Sequence, residues 1–140
     1  MTTVTLSLIS HTNVGKTALA RTLLRREIGE VRDQPHVTTV AEAHPLIEAG
    51  DARLLLWDTP GFGDTTRLMT RLRHESDPLG WFLHQAWDRV LDLPLWCSQE
   101  AVRNVRDEAD VVLYLVNATE DPEAAGYVKH ELELLSWMRR

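Results

Sequence analysis

Apolar and polar positions alternate, or nearly so, from Val4 to Ile9, and the run is β-branched enough to predict a first strand. From Lys16 to Ile28 the period changes. Ala18, Leu19, Leu23, Leu24 and Ile28 recur at helical spacing, and Gly29 suits a helix end. Residues 29–38 are polar, contain Pro35 and read as a loop. Two more strand patterns, Val40 to Ile47 and Ala52 to Trp57, flank the turn-forming stretch Glu48-Ala49-Gly50-Asp51. They predict an antiparallel hairpin. Pro45 places its first strand at a sheet edge, because proline cannot donate to a ladder.

Residues 64–109 are helical in pattern. Leu79, Leu83, Ala86, Trp87 and Val90 form a stripe starting just after Asp77-Pro78, a natural cap and first-turn pair. Pro94 breaks the stripe, and Ser98 is placed to cap another helix carrying Ala101, Val102, Val105 and Ala109. Trp81, Trp87 and Trp96 lie here; aromatic residues at helical spacing are more often packing contacts than a partner surface. Val111 to Val116 is a continuous apolar run, the kind buried on both faces of a parallel sheet. Asp121-Pro122 opens a last helix with Ala125, Val128, Leu132 and Leu135 on one face. This order predicts an α/β fold of three layers: a mostly parallel sheet with one antiparallel edge hairpin, and helices on both faces. Ligands of such sheets bind at the carboxyl ends of the parallel strands.

Composition narrows this little. The chain has 140 residues, a formal charge of −6 and 44% hydrophobic residues, which fits one globular domain. The acidic balance argues against a large sequence-independent nucleic-acid surface. No apolar run approaches a transmembrane span, and the N-terminus lacks a signal-peptide layout. The single cysteine, Cys97, reads as a core residue and fits a cytoplasmic location. The six histidines have no metal spacing; only His11 stands out, inside the first loop. The pairs Arg25-Arg26 and Arg139-Arg140 read as solvated helix faces.

Two stretches carry chemistry. Ser10-His11-Thr12-Asn13-Val14-Gly15-Lys16-Thr17 lies between the first strand and the first helix, and Ala18 continues into that helix. A phosphate cradle needs converging backbone N–H groups, a lysine for the β- and γ-oxygens, and a hydroxyl for Mg²⁺. Gly15, Lys16 and Thr17 supply these, and the positive end of the helix faces the anion. Asp58-Thr59-Pro60-Gly61 ends the second hairpin strand. An aspartate there is placed to hold Mg²⁺, and a glycine three residues on can present its N–H to the γ-phosphate. Alone that stretch is as readily a turn. Together the two predict a P-loop nucleoside triphosphatase fold.

At these residues the chain resembles the P-loop GTPases of translation-factor type, particularly the bacterial TrmE–Era group. The likeness is close from Val4 to Gly61 and loose from Asp110 to Asn117. It implies GTP and GDP as ligands, bound by residues 10–18, Thr38, Thr39, Asp58 and Gly61. It also implies Mg²⁺ held by Thr17 and Thr39 directly and by Asp58 through water, with Lys16, Thr39 and Gly61 serving catalysis. Thr39 in Val37-Thr38-Thr39-Val40 matches the family's first switch threonine best, with Thr38 second. Residues 64–109 become a helical insertion after the second switch. Phe62 stands where many regulatory GTPases carry a glutamine that orients water, and a phenyl ring cannot do so. Asn13 occupies the position that binds K⁺ in relatives lacking that glutamine, or it hydrogen-bonds within the loop. K⁺-stimulated hydrolysis and nucleotide-dependent dimerisation follow as expectations.

The chain also departs from the pattern. Ser10 replaces the leading glycine, a strain if that backbone needs positive φ. No Asn-Lys-x-Asp guanine-reading motif is present; Asn117-Ala118-Thr119-Glu120 resembles it only faintly. Another strand and that motif would be expected after Trp137-Met138-Arg139-Arg140, so the chain reads as the front portion of a G domain spanning 1–140. The leading expectation is a GTP-hydrolysing switch with a protein partner that the sequence does not identify. An ATPase and a non-catalytic nucleotide-dependent interaction module are the alternatives.

Overall fold

The computed structural model describes residues 1–12, 14–25, 41–63, 65–77, 80–81, 92–121 and 123–138. Strand β1 (Thr2–Ser10) leads into helix α1 (Lys16–Leu24); β2 (Glu42–Ala49) and β3 (Ala52–Asp58) follow. Then come α2 (Thr65–Leu72), α3 (Leu93–Asp107), β4 (Val111–Leu115) and α4 (Gly126–Ser136). The strand order is β2-β3-β1-β4, with β1 parallel to both neighbours and β2 antiparallel to β3. The predicted α/β sheet with its antiparallel edge hairpin is thus present. Pro45 lies in edge strand β2, beside a register shift between Pro45 and Ile47.

Alternation along β1 builds the two faces. Leu8 points to α1, where it meets Ala20 and Leu56. Ile9 points the other way, into a larger cluster with Phe62, Leu68, Met69, Leu72, Leu95, Ala101, Val102, Val105, Leu134 and Leu135. That second cluster joins the sheet to α2, α3 and α4, and Trp81 and Trp137 pack against it. Cys97 is buried in the core, the role expected of it.

Several element boundaries differ from the sequence reading. Helix α1 stops at Leu24, and Arg25 caps it in the left-handed conformation (φ 54°); Ile28 and Gly29 lie outside the described residues. Pro94 does not break a helix but sits in the first turn of α3, where its missing N–H is not needed. Ser98 is therefore interior to that helix rather than its cap. The stripe Leu79 to Val90 lies outside the described residues.

Asp121 does not open α4. Its carboxylate and carbonyl instead accept the N–H groups of Glu123, Ala124 and Ala125 in a turn that precedes the helix. The inward face of α4 is Val128, Glu131, Leu134 and Leu135, and Leu132 is 47% exposed. Strand β4 also departs from expectation. Val112 and Tyr114 pack on the large cluster, but Val111 and Leu113 are 42% and 45% exposed. Burial on both faces fails because β4 is an edge of the described sheet and α1 lies over Leu8 and Leu56 instead.

Candidate functional site

The carboxyl ends of β1 and β3 lie side by side, with Leu8 paired to Asp58. Both motifs begin there, so the sheet register alone brings them together. The pairing then continues past the strands: Phe62 N–H donates to the Ser10 carbonyl (2.8 Å) and Thr12 N–H to the Phe62 carbonyl (3.0 Å). The Thr59 hydroxyl donates to the Leu8 carbonyl at 2.7 Å. Gly61 meets Thr12 so closely that a Cβ added to it would lie 2.9 Å from Thr12 Cα, a real need for glycine.

The loop ends at Gly15, whose φ of +95° lets the chain turn into α1 and which has no side chain to cap the helix start. N–H groups at a helix start suit an anion. Lys16 and Thr17, the first two helical residues, are both buried. Lys16 Nζ donates to Asp58 Oδ1 at 3.0 Å and also to the Thr59 carbonyl. The Thr17 hydroxyl donates to Asp58 Oδ2 at 2.8 Å. Burial lowers the Lys16 pKa below the usual lysine range, and the adjacent Asp58 carboxylate opposes that shift. The hydroxyl and carboxylate of Thr17 and Asp58 are hard oxygen donors, a set that fits Mg²⁺ with phosphate and water completing the shell. Among the described residues no cluster of three or more His, Cys, Asp or Glu side chains offers a metal site.

The remaining loop residues are placed as follows. Ser10 is buried, its hydroxyl donates to the His11 carbonyl at 2.8 Å, and its backbone does not have positive φ, so the replaced glycine brings no strain there. Thr12 and Val14 are half-buried, and Ala18 is exposed. Asn13, Thr38 and Thr39 lie outside the described residues. Phe62 is fully buried in the large cluster, so its ring points away from the loop. Asn117 closes a turn after β4, its side-chain oxygen accepting from Thr119 N–H (3.0 Å) and hydroxyl (2.7 Å).

Two features carry no motif. Ser98 of α3 accepts from Gly63 N–H at 3.0 Å and lies within donating distance, 2.9 Å, of its carbonyl. That contact ties the chain after Gly61 to α3. Glu131 of α4 is fully buried and meets His11, Thr65 and Tyr114. Burial and the Glu131 carboxylate push the Tyr114 phenol well above its usual range, keeping it a donor. The sequence signal for Glu131 is faint: a charged residue at an inward position of a helical period.

A family model of 50S ribosome-binding GTPases matches residues 5–140. Comparison with curated proteins gave no match. Among solved structures the fold is similar to Era from Aquifex aeolicus bound to GDP and AlF4−. There the TM-score is 0.63 and the identity 19%, over 92% of this chain and 36% of that one. It is also similar to NFeoB from S. thermophilus bound to GDP and AlF4−, with TM-score 0.55 and 20% identity, over 84% and 36% of the two chains. A third similar structure is Era in complex with MgGDPNP and nucleotides 1506–1542 of 16S ribosomal RNA. Its TM-score is 0.57 and its identity 15%, over 99% and 47% of the two chains. At these identities the likeness is one of fold, and the chain spans 36% to 47% of the length of these structures. The match across residues 5–140, on a sheet that brings Lys16 and Thr17 against Asp58, makes this chain a member of the 50S ribosome-binding GTPase family.

Proposed function

We propose that the chain binds GTP with Mg²⁺ and hydrolyses it to GDP and phosphate, working as a molecular switch. The observation that carries this reading is the buried meeting of Lys16, Thr17 and Asp58 at the start of α1. In it, residues 10–18 wrap the phosphates and Lys16 serves their β- and γ-oxygens, exchanging Asp58 and the Thr59 carbonyl for phosphate. Thr17 and Asp58 hold Mg²⁺, joined by Thr39, with Thr38 next to it. When bound, Mg²⁺ neutralises charge on the phosphate oxygens. The Gly61 N–H faces the γ-phosphate, and close approach to the loop is what its lack of a side chain permits.

Because the Phe62 ring is buried, no side chain at that position orients water, which supports an added cation at Asn13. K⁺ in that role stimulates turnover. Phosphate release from GTP and from ATP, measured with Mg²⁺ in K⁺ and in Na⁺ buffer, tests these points. The reading expects GTP to be preferred, K⁺ to exceed Na⁺, and Thr17→Ala to slow release and raise the Mg²⁺ concentration it needs. Equal rates in K⁺ and Na⁺ would remove the cation, and equal use of ATP would remove the choice of guanine.

A further inference from the structure

A carboxylate without solvent contact persists only where donors satisfy it. Glu131 is 0% exposed, and three donors from three different segments reach it. Its Oε2 accepts from His11 Nδ1 at 2.5 Å and from the Thr65 hydroxyl at 2.9 Å. Its Oε1 accepts from the Tyr114 hydroxyl at 2.9 Å. His11 belongs to the phosphate loop, Thr65 is the first residue of α2, and Tyr114 is in β4. One turn before Glu131 on the same helix, Tyr127 stacks on the His11 ring with centroids 3.9 Å apart and planes 14° from parallel. Helix α4 therefore grips the His11 ring by its face and by its edge.

The backbone of His11 is in turn bridged to Phe62, the residue after Gly61. From Phe62 the chain reaches Thr65 within three residues, and Thr65 returns to the same Oε2 atom. The result is a closed circuit: loop, second motif, start of α2, Glu131, and back to the loop. The carboxylate is the one member of it that touches both ends. Neither motif uses Glu131, and a purely apolar contact would have filled this inward position of α4 with less desolvation.

We infer that Glu131 is a positioning residue that locks the phosphate loop to the start of helix α2, so that a change at the phosphates moves α2 against α4. This rests on the GTP-hydrolysis reading above. Withdrawing Thr65 leaves Oε2 with one donor fewer, so movement of α2 and the state of the loop share one energetic term. The backbone N–H groups that bind phosphate are left in place by changes at Glu131 or Thr65. The lock therefore acts on turnover, through the placing of Gly61, more than on nucleotide affinity.

The test is steady-state GTP hydrolysis by the full chain carrying Glu131→Gln, Glu131→Ala or Thr65→Val. Thr65→Val removes a single hydroxyl and guards against a Glu131→Ala protein that fails to fold. Thr65→Val is expected to lower kcat about tenfold with KM within about twofold. Glu131→Gln, which keeps one acceptor, should retain more activity than Glu131→Ala. The double variant Thr65→Val/Glu131→Gln should be no slower than the slower single one, because both cut one circuit. Hydrogen exchange supplies a readout that a merely structural role would not move. Adding GDP should slow exchange in the loop and at the start of α2 in the wild type, but only in the loop in Glu131→Gln. An unchanged kcat in Thr65→Val and Glu131→Gln, or an α2 response that survives Glu131→Gln, overturns the lock. A wild-type chain that releases no phosphate overturns the hydrolysis reading instead.

Discussion

Alternate residues of the same strands build the two faces of the sheet, yet the faces differ sharply. The face toward α2, α3 and α4 is sealed: Ile9, Phe62, Leu68, Leu72, Leu95 and Leu134 are all fully buried. The face toward α1 has a small core of Leu8, Ala20 and Leu56, covered by a helix of nine residues. Around it Val4, Leu19, Leu23, Val111 and Leu113 stay more than a third exposed. The sealed face is also the one that Phe62 and Glu131 enter, whereas Lys16 and Thr17 belong to α1 over the other face. The difference shows how one sheet can keep most of its core on one face while the helix over the other supplies the lysine and threonine of the site.

Phe62→Ala should break this comparison most visibly. Deleting a fully buried ring from the large cluster is expected to cost about 3–5 kcal/mol, read from the urea unfolding midpoint. A loss below about 1 kcal/mol would show that stability does not reside on the sealed face. Leu113→Ser on the other face should change stability by no more than about 0.5 kcal/mol, since nearly half the residue is already in water. A cost like that of Phe62→Ala would mean the two faces are equally closed.

The smallest effect concerns the clasp where β4 begins. Asp110 accepts the Thr5 N–H at 2.8 Å and the Thr5 hydroxyl at 2.7 Å, which hold its carboxyl below the usual carboxylate range. A lowered folded pKa gives stability that is complete above the unfolded value and lost as pH falls through the folded one. Wild type should therefore exceed Asp110→Asn slightly at about pH 6, and the gap should close toward about pH 2. A gap that does not narrow with acid would contradict the role of Thr5 as partner. The carboxylate is exposed, so the effect ranks below the other two.

Much of this arrangement was legible in the sequence because it is local. The strand period of Val4 to Ile9, the Gly50 turn and the Gly15-Lys16-Thr17 helix start each depend on neighbours a few residues away. That the two motifs meet was legible because both lie at the ends of parallel strands in one sheet. What escaped depends on contacts distant in sequence. Glu131 belongs to no motif, and its place shows only once His11, Thr65 and Tyr114 are set around it. That is also why Leu132, the obvious apolar choice, was assigned to the buried face it does not occupy. Pro94 reads as a breaker because the same residue stops a helix interior and starts a first turn, and only the chain before it decides which. The two-sided burial assigned to Val111–Val116 failed because an apolar run specifies what can be covered, not what covers it.

The central claim is that the Lys16–Thr17–Asp58 cluster is a GTP-hydrolysing site. Phosphate release from GTP with Mg²⁺, comparing wild type with Lys16→Ala under conditions where both remain folded, tests it most directly. Turnover by the wild type and a loss of at least about 100-fold in Lys16→Ala is the expected result. Equal release from the two proteins, or none from the wild type, would contradict it.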